Sequence, residues 1–191
     1  LELSKHSLPK SRPAKQEIDR EKSSARSEAR ATNGNWPYRS EKIAVIGTGY
    51  VGTVEAIMDA LDFGHVVIAV DLDPEKVEKL NRGELPNYME GMQELLQEAL
   101  KSGRLRFTAD YSEAVDAQFF ILAVQTPQKT TGEADTSFLE QAARDIARLA
   151  KRGEEKILIV KSTVPPNSTE RRLRKAITAE FKRRKLRGKT A

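Results

Sequence analysis

Apolar residues cluster in this chain as short continuous runs. Residues 43–46, 66–70, 119–124 and 157–160 are apolar throughout, which is how parallel strands covered on both faces read. Between the runs the spacing turns helical. Val51, Val54, Met58 and Leu61 recur at i, i+3, i+7 and i+10, predicting the inward face of a helix that Gly64 ends. Asp73-Pro74 opens a second helix with Val77 and Leu80 facing inward. After an irregular stretch from Gly83 to Gly91, Met92, Leu95, Leu96, Ala99 and Leu100 make a third, closed by Gly103. Residues 105–108 read as a short strand and 111–115 as a turn or two of helix. A polar loop over 128–135 leads into a long helix with Phe138, Leu139, Ala142, Ile146 and Leu149 on one side. Asn167, with Glu170 three residues later, predicts a capping arrangement for a last helix carrying Leu173, Ile177 and Phe181 inward.

Strand alternating with helix through right-handed crossovers gives an α/β fold, a doubly wound parallel sheet of the Rossmann type. Ligands bind such sheets outside the carboxyl ends of the strands, where strand order reverses. The polar residues that follow the strands, Thr48, Asp71, Thr126 and Thr163, are expected to open onto that crevice.

Charge divides the chain into three. The net charge of +5 is the sum of +4 over residues 1–40, −7 over 41–168 and +8 over 169–191. The first segment is rich in Lys, Arg, Ser, Glu and Pro and too poor in large apolar residues to repay its ordering entropy, so it is expected to be a disordered basic extension. Residues 41–168 form the expected globular domain, and 169–191 a basic helix and tail with Arg171, Arg172, Arg174, Lys175, Lys182, Arg183, Arg184 and Lys185. Because the globular part is acidic, nucleic acid is not an expected partner; a solvated helix face explains the basic end, with an anion-binding interaction module as the alternative. The chain has no cysteine and two histidines, His6 and His65, so no metal site is expected. No run approaches a membrane span and no signal sequence is visible; the protein is expected in the cytoplasm.

The chemistry begins at the first strand. Gly47-Thr48-Gly49-Tyr50-Val51-Gly52 has the G-x-G-x-x-G spacing of a dinucleotide site between a strand and a helix. Gly47 serves the turn, Gly49 leaves room for a pyrophosphate, and Gly52 lets the helix lie close to the strand. Backbone N–H groups and the positive end of the helix dipole then favour the phosphates. Asp71 ends the second strand 19 residues after Gly52, where a ribose-binding acid is expected; its carboxylate suits the hydroxyls of NAD and repels the 2′-phosphate of NADP. Lys76 reads equally as a ribose or phosphate contact and as a helix-surface lysine.

Lys42 to Gly52, Val70-Asp71-Leu72-Asp73, Gly103 to Thr108, Gly132-Glu133-Ala134-Asp135 and Lys161-Ser162-Thr163-Val164-Pro165 together resemble the N-terminal NAD-binding domain of the UDP-glucose/GDP-mannose dehydrogenase family, the UDP-glucose branch most closely. The resemblance implies NAD as cofactor, with Gly47, Thr48, Gly49, Tyr50, Val51 and Gly52 at the pyrophosphate, Asp71 and Lys76 at the adenosine ribose, and Thr126 at the diphosphate-ribose region. Thr163 matches the family threonine near the nicotinamide that helps to position a catalytic water. Such enzymes oxidise a sugar C6 alcohol to a carboxylate in two NAD-dependent steps, the second through a cysteine thioester. This chain has no cysteine and stops before the family's dimerisation and UDP-binding domains, so it is expected to be a fragment or a truncated product. A nucleotide sugar is an expected substrate only if the missing half is supplied, and the family's dimer is not assumed. Met89-Glu90-Gly91-Met92, Gln125-Thr126-Pro127 and Pro166-Asn167 depart from the family's usual residues.

Overall fold

The computed structural model describes residues 39–151 and 153–187. The expected disordered extension lies outside them except for Arg39 and Ser40. The elements run β1 (Lys42–Ile46), α1 (Tyr50–Leu61), β2 (Val66–Val70), α2 (Pro74–Asn81), α3 (Met92–Lys101), β3 (Leu105–Thr108), a 3₁₀ turn (Tyr111–Ala114), β4 (Phe119–Leu122), α4 (Ser137–Leu149), β5 (Ile157–Val160) and α5 (Arg174–Arg187). All ladders are parallel and the strand order is β3-β2-β1-β4-β5. The chain steps outward from β1 to β3 and then returns to lay β4 on β1's other side. Strand order therefore reverses between β1 and β4, and a crevice opens at their carboxyl ends.

Alternate strand residues feed two cores. Ile43, Val45, Val67, Ala69, Phe107 and Ile121 pack with Ala56, Ile57, Ala60, Val77, Leu80 and Leu96 of α1, α2 and α3. On the opposite face Ala44, Ile46, Val70, Phe120 and Leu122 pack with Leu139, Ala142 and Ile146 of α4 and with Leu173 before α5. The central strands β1, β2 and β4 thus bury most of both faces in a three-layer sandwich, which is why their runs are continuous.

Four expectations need correction. The inward face of α1 is Gly52, Thr53, Ala56, Ile57, Ala60 and Leu61, whereas Val51 is exposed and Val54 and Met58 only half-buried. Small residues at 52, 56 and 60 let this helix lie close to the sheet, so its contact stripe is marked by lack of bulk. Phe138 is 53% exposed, with Ala143 and Ala147 taking the inward places on α4. Asn167 does not cap: its φ is +64°, and a π turn over Thr169–Leu173 precedes α5, whose entry Ser168 leads without a side-chain hydrogen bond. The extra residue in that turn rotates the helix after it, burying Ala176 and Glu180 and leaving Phe181 45% exposed. Finally, among the described residues β5 lies at the edge of the sheet, with Ile157 and Ile159 exposed on the α1 side.

Three cations of the last segment, though exposed, are tied to the fold by their side chains. Arg172 reaches Thr136 Oγ1 at 2.8 Å, Arg184 donates to the carbonyls of Ala147 and Ala150 at 2.8 and 2.7 Å, and Arg183 pairs with Glu180 at 2.6 Å. Arg184 thereby satisfies carbonyls at the C-terminal end of α4, where a positive charge is favoured. Among the described residues no helix is long and apolar enough to cross a membrane, and no cluster of three potential metal ligands occurs.

Candidate functional site

The turn after β1 is built as its glycines demand. Gly47 has a φ of +92°, and a Cβ there would stand 2.9 Å from the Ala123 carbonyl oxygen; its N–H donates to Val70 O at 2.8 Å, tying the turn to the end of β2. A Cβ on Gly52 would collide with the Gly47 carbonyl. At Gly49 the position of a Cβ meets no atom within 4 Å. That open space lies over the first turn of α1, where helix geometry leaves backbone N–H groups without intrahelical acceptors. Tyr50 and Val51 are exposed beside it.

Asp71 stands across the turn, and its position is fixed by four donors. Oδ2 accepts from Thr48 N at 2.8 Å, Thr48 Oγ1 at 2.7 Å and Lys76 Nζ at 2.6 Å; Oδ1 accepts from Asp73 N at 3.1 Å. Asp73 in turn caps α2 through the N–H groups of Glu75 and Lys76, which delivers Lys76 to the carboxylate. Burial pushes the Asp71 carboxyl up, but the hydrogen bonds from Lys76, Thr48 and Asp73 outweigh it and hold the group below its ordinary value. Asp71 is therefore an ionised acceptor whose crowded oxygen is Oδ2, and Oδ1 retains capacity for a hydroxyl.

Thr48 differs from the sequence expectation. Its side chain is fully buried and does not open onto the crevice; the hydroxyl is spent orienting Asp71, and Thr53 Oγ1 donates to the Thr48 carbonyl at 3.0 Å from behind. Thr126 and Thr163 do come together, Thr126 Oγ1 donating to the Thr163 carbonyl at 2.8 Å. Ser162 Oγ adds a 2.7 Å bond to the Val124 carbonyl, so the loops after β4 and β5 are stitched side by side.

A cleft of about 300 Å³ runs from Gly47 and Asp71 past Leu72, Lys76, Ala123, Val124 and Gln125 to Tyr111, Phe138, Gln141 and Asp145. The α4 wall is not marked by a polar residue after a strand. Its one sequence signal is a large aromatic at 138 beside the inward stripe. Burial, with Asp145 and Asp71 nearby, pushes the Tyr111 hydroxyl above its ordinary value, so Tyr111 presents a neutral phenol to the cleft. An anion-favouring helix start, an ionised acid and a cleft with an apolar wall at the strand-order reversal fit a dinucleotide.

A parallel sheet with this site defines a Rossmann-type NAD-binding domain. The profile of the UDP-glucose/GDP-mannose dehydrogenase family, NAD binding domain, matches residues 41–189, and the chain belongs to that family. NAD is its cofactor. The UDP-glucose 6-dehydrogenase of Rhizobium meliloti is 42% identical over 126 residues, covering 65% of this chain and 28% of that protein. The structure of a UDP-glucose dehydrogenase from Pyrobaculum islandicum is 40% identical with a TM-score of 0.71, covering 74% of this chain and 33% of that one. A GDP-mannose dehydrogenase from Pseudomonas aeruginosa is 32% identical with a TM-score of 0.69, covering 72% and 32%. The chain thus spans a third or less of the relatives it matches.

Proposed function

We propose that this chain is the cofactor-holding portion of a UDP-glucose 6-dehydrogenase, the complete enzyme oxidising UDP-glucose to UDP-glucuronate. When bound, NAD supplies a hydride acceptor. The chain's own residues hold and orient it: the first turn of α1, from Gly49 to Gly52, receives the pyrophosphate; Asp71 Oδ1 takes a ribose hydroxyl while Lys76 and Thr48 hold the carboxylate; Leu72 and Phe138 flank the adenine. Thr126 adjoins the diphosphate-ribose region, and Thr163 helps to position a water near the nicotinamide. The globular unit over 41–168 carries these groups, with 169–191 as its basic extension. The cysteine step takes place outside this polypeptide, which has no cysteine, and the chain alone turns over no sugar.

The observation that carries the reading is the Asp71 carboxylate, locked by Thr48 and Lys76 opposite the open helix start. Calorimetric titration tests it. NAD is expected to bind, NADP more weakly, and Asp71→Ala is expected to weaken NAD at least about tenfold, the scale of a lost hydrogen bond to a charged group. Equal affinity of the variant for NAD would overturn the assignment of Asp71. Formation of UDP-glucuronate by the purified chain would refute the division of labour.

A further inference from the structure

Where the cleft leaves Asp71 for α4, its lining turns polar again. Phe138, Gln141, Ala142 and Asp145 recur at i, i+3, i+4 and i+7, so one face of α4 looks into the cleft. Tyr111, at the head of the 3₁₀ turn after β3, lines it with them. Asp145 is fixed from within its own helix. Its Oδ1 accepts from Arg148 Nη1 at 2.5 Å and from Gln141 Nε2 at 3.0 Å, whereas Oδ2 has only a longer contact, 3.2 Å, to the same Gln141 nitrogen. Gln141 is held in that orientation by Arg144, whose Nε donates to its carbonyl oxygen at 3.2 Å. A carboxylate can accept at about four positions, so Oδ2 keeps room for a donor and offers nothing to an acceptor. Tyr111 is its opposite. Burial, with Asp145 and Asp71 nearby, keeps the phenol protonated, and its hydroxyl makes no hydrogen bond to another described residue. The recess therefore accepts through Asp145 and donates through Tyr111.

We infer that Asp145 and Tyr111 read the edge of the base carried by the dinucleotide and select a purine with an amino group at C6. The inference rests on the cofactor reading above, in which Asp71 Oδ1 takes a hydroxyl of the ribose and Leu72 and Phe138 flank the ring attached to it. With the faces of the ring so covered, its edge meets α4 and Tyr111. Adenine presents a donor at C6 and, on either side of it, the unprotonated ring nitrogens N1 and N7. The amino group donates to Asp145 Oδ2, and a ring nitrogen accepts from the Tyr111 hydroxyl. A 6-oxo purine inverts this pattern. Its O6 is an acceptor set against a carboxylate, and its N1 carries a proton. Paired with Arg148, the carboxylate has no proton to offer O6, so the analogue brings a lone pair against a side chain that is only 19% exposed. A site built to receive an N–H rejects the analogue that lacks it.

NAD and nicotinamide hypoxanthine dinucleotide differ only along this edge of the base, so comparing them by calorimetric titration needs no variant. The parent chain is expected to bind NAD at least about tenfold more tightly, the scale of one hydrogen bond to a charged group. Asp145→Asn supplies an amide that can donate to O6. It should weaken NAD, strengthen the hypoxanthine analogue and bring the two affinities within about threefold of each other, with urea unfolding showing that the variant is folded. Equal affinities of the parent for the two dinucleotides, with Asp71→Ala still weakening NAD, would overturn the reading of the base and leave the cofactor site standing. A folded Asp145→Asn variant that keeps the parent's preference would overturn the role of Asp145. Binding of neither dinucleotide would overturn the cofactor reading itself, and this inference with it.

Discussion

Asp59 on α1 is a stability liability that pH should reveal. Its residue is 8% exposed, and its Oδ2 is buried without a hydrogen-bond partner. Burial, then the neighbouring Glu55, raise its carboxyl to about 6, with Lys161 acting in the opposite direction. The group titrates near 3.8 in the unfolded chain. Below that value both states hold the proton and no penalty exists. As pH climbs from about 4 to about 6, the unfolded chain releases its proton while the fold retains it, and stability falls. Above 6 the fold carries a buried charge, costing about 3 kcal/mol at the exchange of 1.36 kcal/mol per pH unit. Asp59→Asn removes the charge but leaves a buried amide to satisfy, so the expected gain at neutral pH is about 1–2 kcal/mol, raising Tm by about 2–8 °C for a domain of this size. Urea unfolding across pH 4 to 7.5 is the assay. The two proteins should be closest near pH 4 and separate as pH rises, the variant on top. A separation constant with pH, or an Asn variant that falls further below the parent as pH rises, would show that the ionised carboxylate is stabilised in the fold and would refute the reasoning.

Gly52→Ala should fail to fold stably, losing more than about 3 kcal/mol, because its Cβ would meet backbone on the Gly47 carbonyl; comparable unfolding midpoints for variant and parent would contradict this contact. Lys76→Met should raise the pKa of Asp71 by removing a 2.6 Å charged donor, so NAD affinity should fall away at a higher pH on acidification than in the parent. An NMR titration of the Asp71 carboxyl reads this shift without cofactor. Arg184→Ala should cost about 1–2 kcal/mol by uncapping α4, measured by urea denaturation.

What the chain declares about itself depends on how many faces an element buries. The runs at 43–46, 66–70 and 119–122 are, apart from Val66, covered above and below, so hydrophobicity alone locates them, and Asp71 follows from the second. Helix α1 hid its inward face because close approach to the sheet selects Gly52, Ala56 and Ala60, which carry little hydrophobic signal. Run 157–160 looked like its neighbours although its place at the edge of the described sheet is a matter of strand order, which no local pattern encodes. Phe138 and Tyr111 reach the cleft by tertiary placement, from elements that are not adjacent to the glycine turn in sequence. Thr48 looked like a ligand group because hydroxyls after strands usually face the crevice; its inward turn depends on Asp71, which lies 23 residues away.

Arg172 meets α4 at its first turn and Arg184 at its last, and twelve helical residues span about 18 Å, close to the length of α4 itself. Helix α5 and the π turn before it thus form a splint bound to both ends of α4. The face of α4 bearing Phe138, Gln141 and Asp145 forms one bank of the cofactor cleft. That bank of the cleft is consequently braced from behind by a helix outside it. Shortening the chain before Arg184 would free the far end of that bank, so a boundary chosen to spare every ligand-lining residue could still leave the cofactor with a loose wall.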